Sequence, residues 1–194
     1  IVASLVGSEM CIRDRLYNMR LTNDTNSYGF LARLFHWITF VILLFQLPLG
    51  IYLDNLEFSE FKLSIENVHI IIGMTIFYIT LLRLIWKSIN TKPIDNISMS
   101  KIQIIASRVV HGLFYMTLLV ITISGISKLL LSGEEVNFII MKASIDYYNF
   151  DLADKFYAIH ALSAYFLLIL FSIHLSAVIY HHAFQKDKIL RKML

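Results

Sequence analysis

The chain reads as an all-α integral membrane protein, a four-helix bundle with both termini in the cytoplasm. Three observations predict this. Hydrophobic residues make up 57% of its 194 residues and charged residues only 16%, with a mean hydropathy of +0.66, which is too apolar for an ordinary soluble domain. Four apolar windows, about residues 34–53, 67–85, 109–127 and 156–182, each come near the roughly 20 residues needed to cross a bilayer. Between them, basic and acidic loops alternate, as a fixed orientation in a membrane requires.

Residues 1–18 look unlike the rest. They hold the only cysteine, Cys11, and the mixed run Arg13-Asp14-Arg15. The stretch is too short and polar for a signal-peptide core, and SLVGSEMCIRDR resembles translated sequencing-adapter text. It is read as a non-native leader, with Met19 as the start of a single domain over residues 19–194. Without Cys11 no thiol remains, which excludes disulfides, thiolate catalysis and cysteine-held iron–sulfur clusters. Residues 19–26 then form a short polar tail.

The first window carries no charge, and Pro48 late in it is expected to bend the helix. The second closes on Arg83 and Trp86, a pair suited to snorkelling and anchoring at the interface. Pro93 breaks helical continuity in the following loop. The third is bounded by Arg108 and Lys128. The long segment 129–155 precedes the fourth window, and residues 136–142 within it suit a short interfacial helix. In lipid, runs this long and continuous are helices, and one four-helix bundle is the simplest architecture.

Lys87, Lys92, Lys101 and Arg108 lie between the second and third windows. Lys186, Lys188, Arg191 and Lys192 follow the fourth, and Arg20 and Arg33 precede or open the first. The other two loops are acidic, with Asp54, Glu57, Glu60 and Glu66, then Glu134, Glu135, Asp146, Asp151 and Asp154. Positive charge therefore marks the cytoplasmic side. The net charge of +3 reports topology, and no basic stripe with interleaved aromatics suggests nucleic acid.

The fourth window holds His160 and His174, fourteen residues apart, with no charge from 156 to 185. Fourteen helical residues rise about 21 Å and return to within roughly 40° of the starting face. Ionisable groups inside a membrane are expensive and usually functional. Sorted by depth, His69 pairs with His160 near the outer edge and His36 with His174 near the inner edge. Each pair joins the fourth helix to a different helix. This suits two hexacoordinate haems, because bis-imidazole ligation needs one nitrogen on each side of the iron. Gly73 and Ala164 share the faces of His69 and His160, and Gly112 and Gly125 thin the third helix. Such small residues leave room for a porphyrin, or merely let helices pack closely. The windows carry no carboxylate, which argues against di-iron or zinc hydrolytic sites.

Spaced motifs on all four helices resemble bacterial cytochrome b561. They are Arg33-Leu34-Phe35-His36-Trp37, the Val68-His69-Ile70 segment ending in Leu82-Arg83-Leu84, His111 with Gly125, and the tail His174, His181-His182-Ala183-Phe184, Lys186-Asp187, Leu190-Arg191 and Met193. The resemblance covers roughly residues 28–194. It implies a multi-pass protein of the bacterial inner membrane with two haem b groups, exchanging electrons with ubiquinone or another quinone. The family's ligand positions fall on His36, His69, His160 and His174. Small stand-alone members are superoxide:ubiquinone oxidoreductases, while related subunits anchor hydrogenases or other periplasmic oxidoreductases.

His111 lies at the inner level with no partner left. It is either a contact for a haem propionate or quinone carbonyl, or a histidine satisfied by a neighbouring helix. Arg33, three residues before His36, is either a propionate partner or a plain positive-inside charge. His181 and His182 read as interfacial, and Tyr147-Tyr148 as an aromatic belt. A superoxide oxidase would gain from a positive outer funnel, yet these outer loops are net acidic, unless Lys62, Lys128, Lys142 and Lys155 form a local patch. Three functions stay open: a quinone-linked oxidoreductase with superoxide or another periplasmic donor, a cytochrome b subunit of a partner dehydrogenase or hydrogenase, and a haem-free small transporter.

Overall fold

The computed structural model describes residues 20–25, 27–94, 99–138, 141–185, 190 and 193. The leader with Cys11 and the four basic residues of the tail lie outside them. Four long helices follow in order: α1 (Phe30–Asp54), α2 (Glu60–Ile89), α3 (Lys101–Leu131) and α4 (Phe150–Tyr180). The end bearing the α1–α2 loop is called outer here, following the charge pattern.

Three of the four helices begin where the sequence supplies a side-chain cap, while α1 starts after Gly29 without one. Ser59 accepts from Lys62 N at the start of α2. Ser100 and Gln103 form a reciprocal capping box on α3, and Asn149 accepts from Leu152 N on α4. These side chains satisfy amides that have no partner within the helix. Helix α1 passes through Pro48 without ending, and α2 stops ahead of Pro93. At its far end α4 continues into a π-helical turn, His181–Gln185.

The polar tail before α1 is ordered by hydrogen bonds. Asn23 Nδ2 donates to Thr91 O at 2.8 Å, and Ile94 N donates to Thr25 O at 2.8 Å. These bonds tie the entry of α1 to the exit of α2 at the inner end.

The segment 136–142 is not an interfacial helix. Val136–Asn137 (β1) pairs antiparallel with Lys142–Ala143 (β2). Gly133, at φ 84°, turns the chain directly after α3, a backbone conformation that costs a side-chain-bearing residue about 1–2 kcal/mol. Val136 then turns inward, 2% exposed, against Met74 and Leu129, while Asn137 faces out. That alternation is a strand's, and the docking of Val136 decides it.

In mid-bundle, Leu43, Leu47, Ile76, Leu118 and Leu167 meet from all four helices. Large apolar side chains cover the outside, among them Phe45 at 67%, Ile71 at 66%, Met116 at 67% and Leu162 at 69% exposure. Water would not tolerate so much exposed apolar surface. All four helices are long and apolar enough to cross a membrane, and the protein is an all-α four-helix membrane bundle.

A Cβ at Gly133 would collide with the Tyr148 ring, whereas one at Gly112 meets nothing within 4 Å. Gly133→Ala should therefore cost more than about 1 kcal/mol, read as a lower Tm in detergent, while Gly112→Ala leaves Tm unchanged or higher.

Candidate haem sites

The four helices bring the histidines together at two levels. At the outer level the rings of His69 (α2) and His160 (α4) lie 6.1 Å apart, centroid to centroid, at 70°. At the inner level His36 (α1) and His174 (α4) lie 6.4 Å apart at 69°. His111 (α3) joins the inner level, 5.4 Å from the His174 ring.

These separations can be set against coordination chemistry. Two metal–nitrogen bonds of about 2.0 Å, plus about 1.1 Å from each nitrogen to its ring centre, would place the centroids of two imidazoles holding one metal about 6.2 Å apart. Both pairs lie close to that value. Among the described residues no three histidine, cysteine or carboxylate groups converge on one point. A metal held by two imidazoles must then bring its other ligands with it, which a porphyrin does.

Hydrogen bonds select the ring nitrogen. His160 Nδ1 lies 2.7 Å from Ile121 O, and His111 Nδ1 lies 2.6 Å from Ser107 O. A carbonyl oxygen only accepts, so each Nδ1 carries the proton and each Nε2 keeps a lone pair. In His160 such a bond to the far ring nitrogen orients the imidazole for a metal at Nε2.

Glycines keep the rings' space open. A Cβ at Gly125 would lie 3.0 Å from His160 Nδ1, and one at Gly50 would lie 3.1 Å from His69 Cε1. Gly73 and Ala164 also line the outer cavities, which are about 220 Å³ and 120 Å³ and share His69 and His160 as walls. Gly112 faces open space and makes no such cradle.

Gly50 and Arg83 were not singled out from the sequence as site residues, yet a signal for both was present. On each helix the two levels are fourteen residues apart: His36 and Gly50, His69 and Arg83, His111 and Gly125, His160 and His174. Arg83 accordingly lies at the inner level, within electrostatic reach of His36 and His111. It stacks over Tyr115 at 5.6 Å, as Lys87 does at 4.7 Å. Arg33 is half-buried one turn before His36. His181 packs edge-on to Tyr180 in the π-helical turn, and His182 is exposed.

The outer mouth is mixed in charge. Asp54, Lys62, Glu66, Lys128 and Tyr157 line it. Lys128 Nζ is 3.6 Å from Glu66 and 3.3 Å from Glu134, and Lys62 Nζ donates to Leu56 O at 2.7 Å. Lys142 pairs with Glu135 at 2.6 Å. Tyr157 donates its hydroxyl proton to Asp54, tying α4 to the end of α1.

Residues 27–194 match the family model for prokaryotic cytochrome b561. The chain belongs to that family. Cytochrome b561 homolog 2 of Escherichia coli (strain K12) is 26% identical over 181 residues, covering 91% of this chain and 95% of that protein. As a member, this cytochrome b561 is a haem-binding, multi-pass b-type cytochrome of membrane electron transfer.

Widening Gly125 tests the cradle. Gly125→Leu should displace the His160 ring and lower Soret absorbance per protein, with helical circular dichroism unchanged. An unaltered Soret band would show that the ring has other room.

Proposed function

We propose that this cytochrome b561 holds two haem b groups and carries electrons across the inner membrane to the quinone pool, as a quinone-linked oxidoreductase. His69 and His160 would hold the outer iron, and His36 and His174 the inner one. The observation that carries this is the pair of cross-helix imidazole contacts, at 6.1 and 6.4 Å, stacked along α4. Haem at these positions would supply one-electron redox chemistry at two depths.

The chain's own residues do the rest. Fourteen residues of α4 separate the two levels by about 21 Å. The leucine and isoleucine cluster between them keeps water and ions from passing through the bundle. At the inner level, Arg33 and Arg83 are placed to neutralise haem propionates.

His111 is read as the quinone contact. Its Nδ1–H is committed to Ser107 O, so the neutral ring offers only an acceptor at Nε2. To donate to a quinone carbonyl it must first take a proton, and its place near the inner end of α3 would put it within reach of cytoplasmic water. His111 would thus deliver protons to quinone as electrons reach it, two of each per quinol formed.

The donor is harder to match to superoxide. A small anion would be drawn by net positive charge, but the mouth lysines are offset by Asp54, Glu66 and Glu134. That compensation favours a second reading, an electron-transfer subunit receiving electrons from a partner dehydrogenase or hydrogenase outside the membrane. Superoxide-driven quinone reduction by the isolated protein separates the two.

A pyridine haemochrome assay should give two haems per chain, and one each in His160→Ala and His174→Ala. Redox titration should show a different midpoint missing in each. One haem in the parent protein, or loss of the same haem in both variants, would refute the assignment by depth.

His111→Ala should keep both haems reducible and slow quinone reduction by about tenfold or more. A normal rate, or a lost haem, would place the quinone elsewhere.

A further inference from the structure

Gln46 on α1 is an amide in the apolar interior, 7% exposed. Its Nε2 donates to His69 O at 2.9 Å. Its Oε1 is buried without a hydrogen-bond partner among the described residues, and so is His69 Nδ1. Both side chains line the 120 Å³ outer cavity, with Gly50 and Gly73 beside them. A Cβ at Gly50 would lie 3.8 Å from His69 Nδ1, and one at Gly73 would lie 3.6 Å from Gln46 Nε2. The two glycines leave space beside the His69 ring and the Gln46 amide group.

The two orphan atoms are complementary. If His69 ligates iron through Nε2, its Nδ1 carries a proton and must donate. Gln46 Oε1 can only accept. An unsatisfied buried polar group is costly, and this mainly apolar cavity of about 120 Å³ has room for a water with these two atoms as its polar partners. The other outer histidine has no such need, because Ile121 O already takes its Nδ1–H.

We propose that Gln46 is a positioning residue of the outer site, holding one water between its Oε1 and the Nδ1–H of His69. The inference rests on His69 as an iron ligand. Gln46 grips His69 at two points, its backbone carbonyl and, through the water, its ring. The acceptor on Nδ1–H raises the basicity of Nε2 and so stabilises the ferric state. Gln46 thereby holds the outer midpoint below the value His69 would give alone, and does nothing to the inner one.

The test is a redox titration of purified holoprotein, with the ferric low-spin signals followed by electron paramagnetic resonance. Gln46→Leu removes the acceptor and should raise the outer midpoint while leaving the inner midpoint in place. Gln46→Glu keeps an acceptor there and should hold the outer midpoint at or below its parent value. An unmoved outer midpoint in Gln46→Leu overturns the proposal, as does an upward shift in both variants. Loss of the outer haem from both also overturns it, because a residue that merely packs the helices would behave so. Fewer than two haems in the parent protein would refute the reading of the site itself, a separate result.

Discussion

The fourteen-residue spacing on every helix is the constraint on which the rest of this bundle depends. Fourteen residues are close to four helical turns, so a face that looks inward at one level looks inward again at the other. Each helix contributes one residue to each level. The outer level receives Gly50, His69, Gly125 and His160, and the inner level His36, Arg83, His111 and His174. Only α4 supplies a histidine to both. The other helices alternate a polar group at one level with a glycine or a second polar group at the other, so the two levels differ in character.

That difference has a chemical sense. At the outer level two imidazoles face each other and glycines occupy the remaining sides, which gives an apolar, open cradle. The inner level adds Arg83 and His111 around its imidazole pair, with Tyr115 under Arg83 and Lys87. Positive charge near the inner edge suits anionic groups. Several hydroxyls elsewhere in the spans are kept from competing. Thr39 donates to Phe35 O and Ser172 to Leu168 O, each one turn back on its own helix, a bond that satisfies a hydroxyl without help from lipid.

The outer rim shows how a loop takes part in the bundle. Gly133 reverses the chain, Val136 enters the core, and the short hairpin holds Glu134 against Lys128. The same lysine reaches Glu66 on α2. The ion pairs span α2, α3 and the hairpin at the cavity mouth, and they cancel the positive charge that a count of lysines alone would suggest.

Sequence by itself determined the class, the number of spans, the family and the depth of each histidine. Those follow from local quantities: apolar run length against bilayer thickness, loop charge, and helical rise per residue. The pairing of His69 with His160 and His36 with His174 was legible too, because helices confined by a bilayer place residues at depths that can be counted. The fourteen-residue period also points to Gly50 and Arg83 as members of the two levels, although a glycine or an end-of-span arginine has a plain explanation on its own, such as the interface anchor read for Arg83. Tertiary structure decided what depends on neighbours distant in the chain. It made a hairpin of residues 136–142, because Val136 found a buried place against α2 and α3. It took Gly112 out of the cradle, since a Cβ there would meet nothing within 4 Å. It bound Lys128 and Lys142 to acidic partners, and it set Gln46 beside His69, twenty-three residues away. These are outcomes of packing and approach between helices, and no spacing within one helix encodes them.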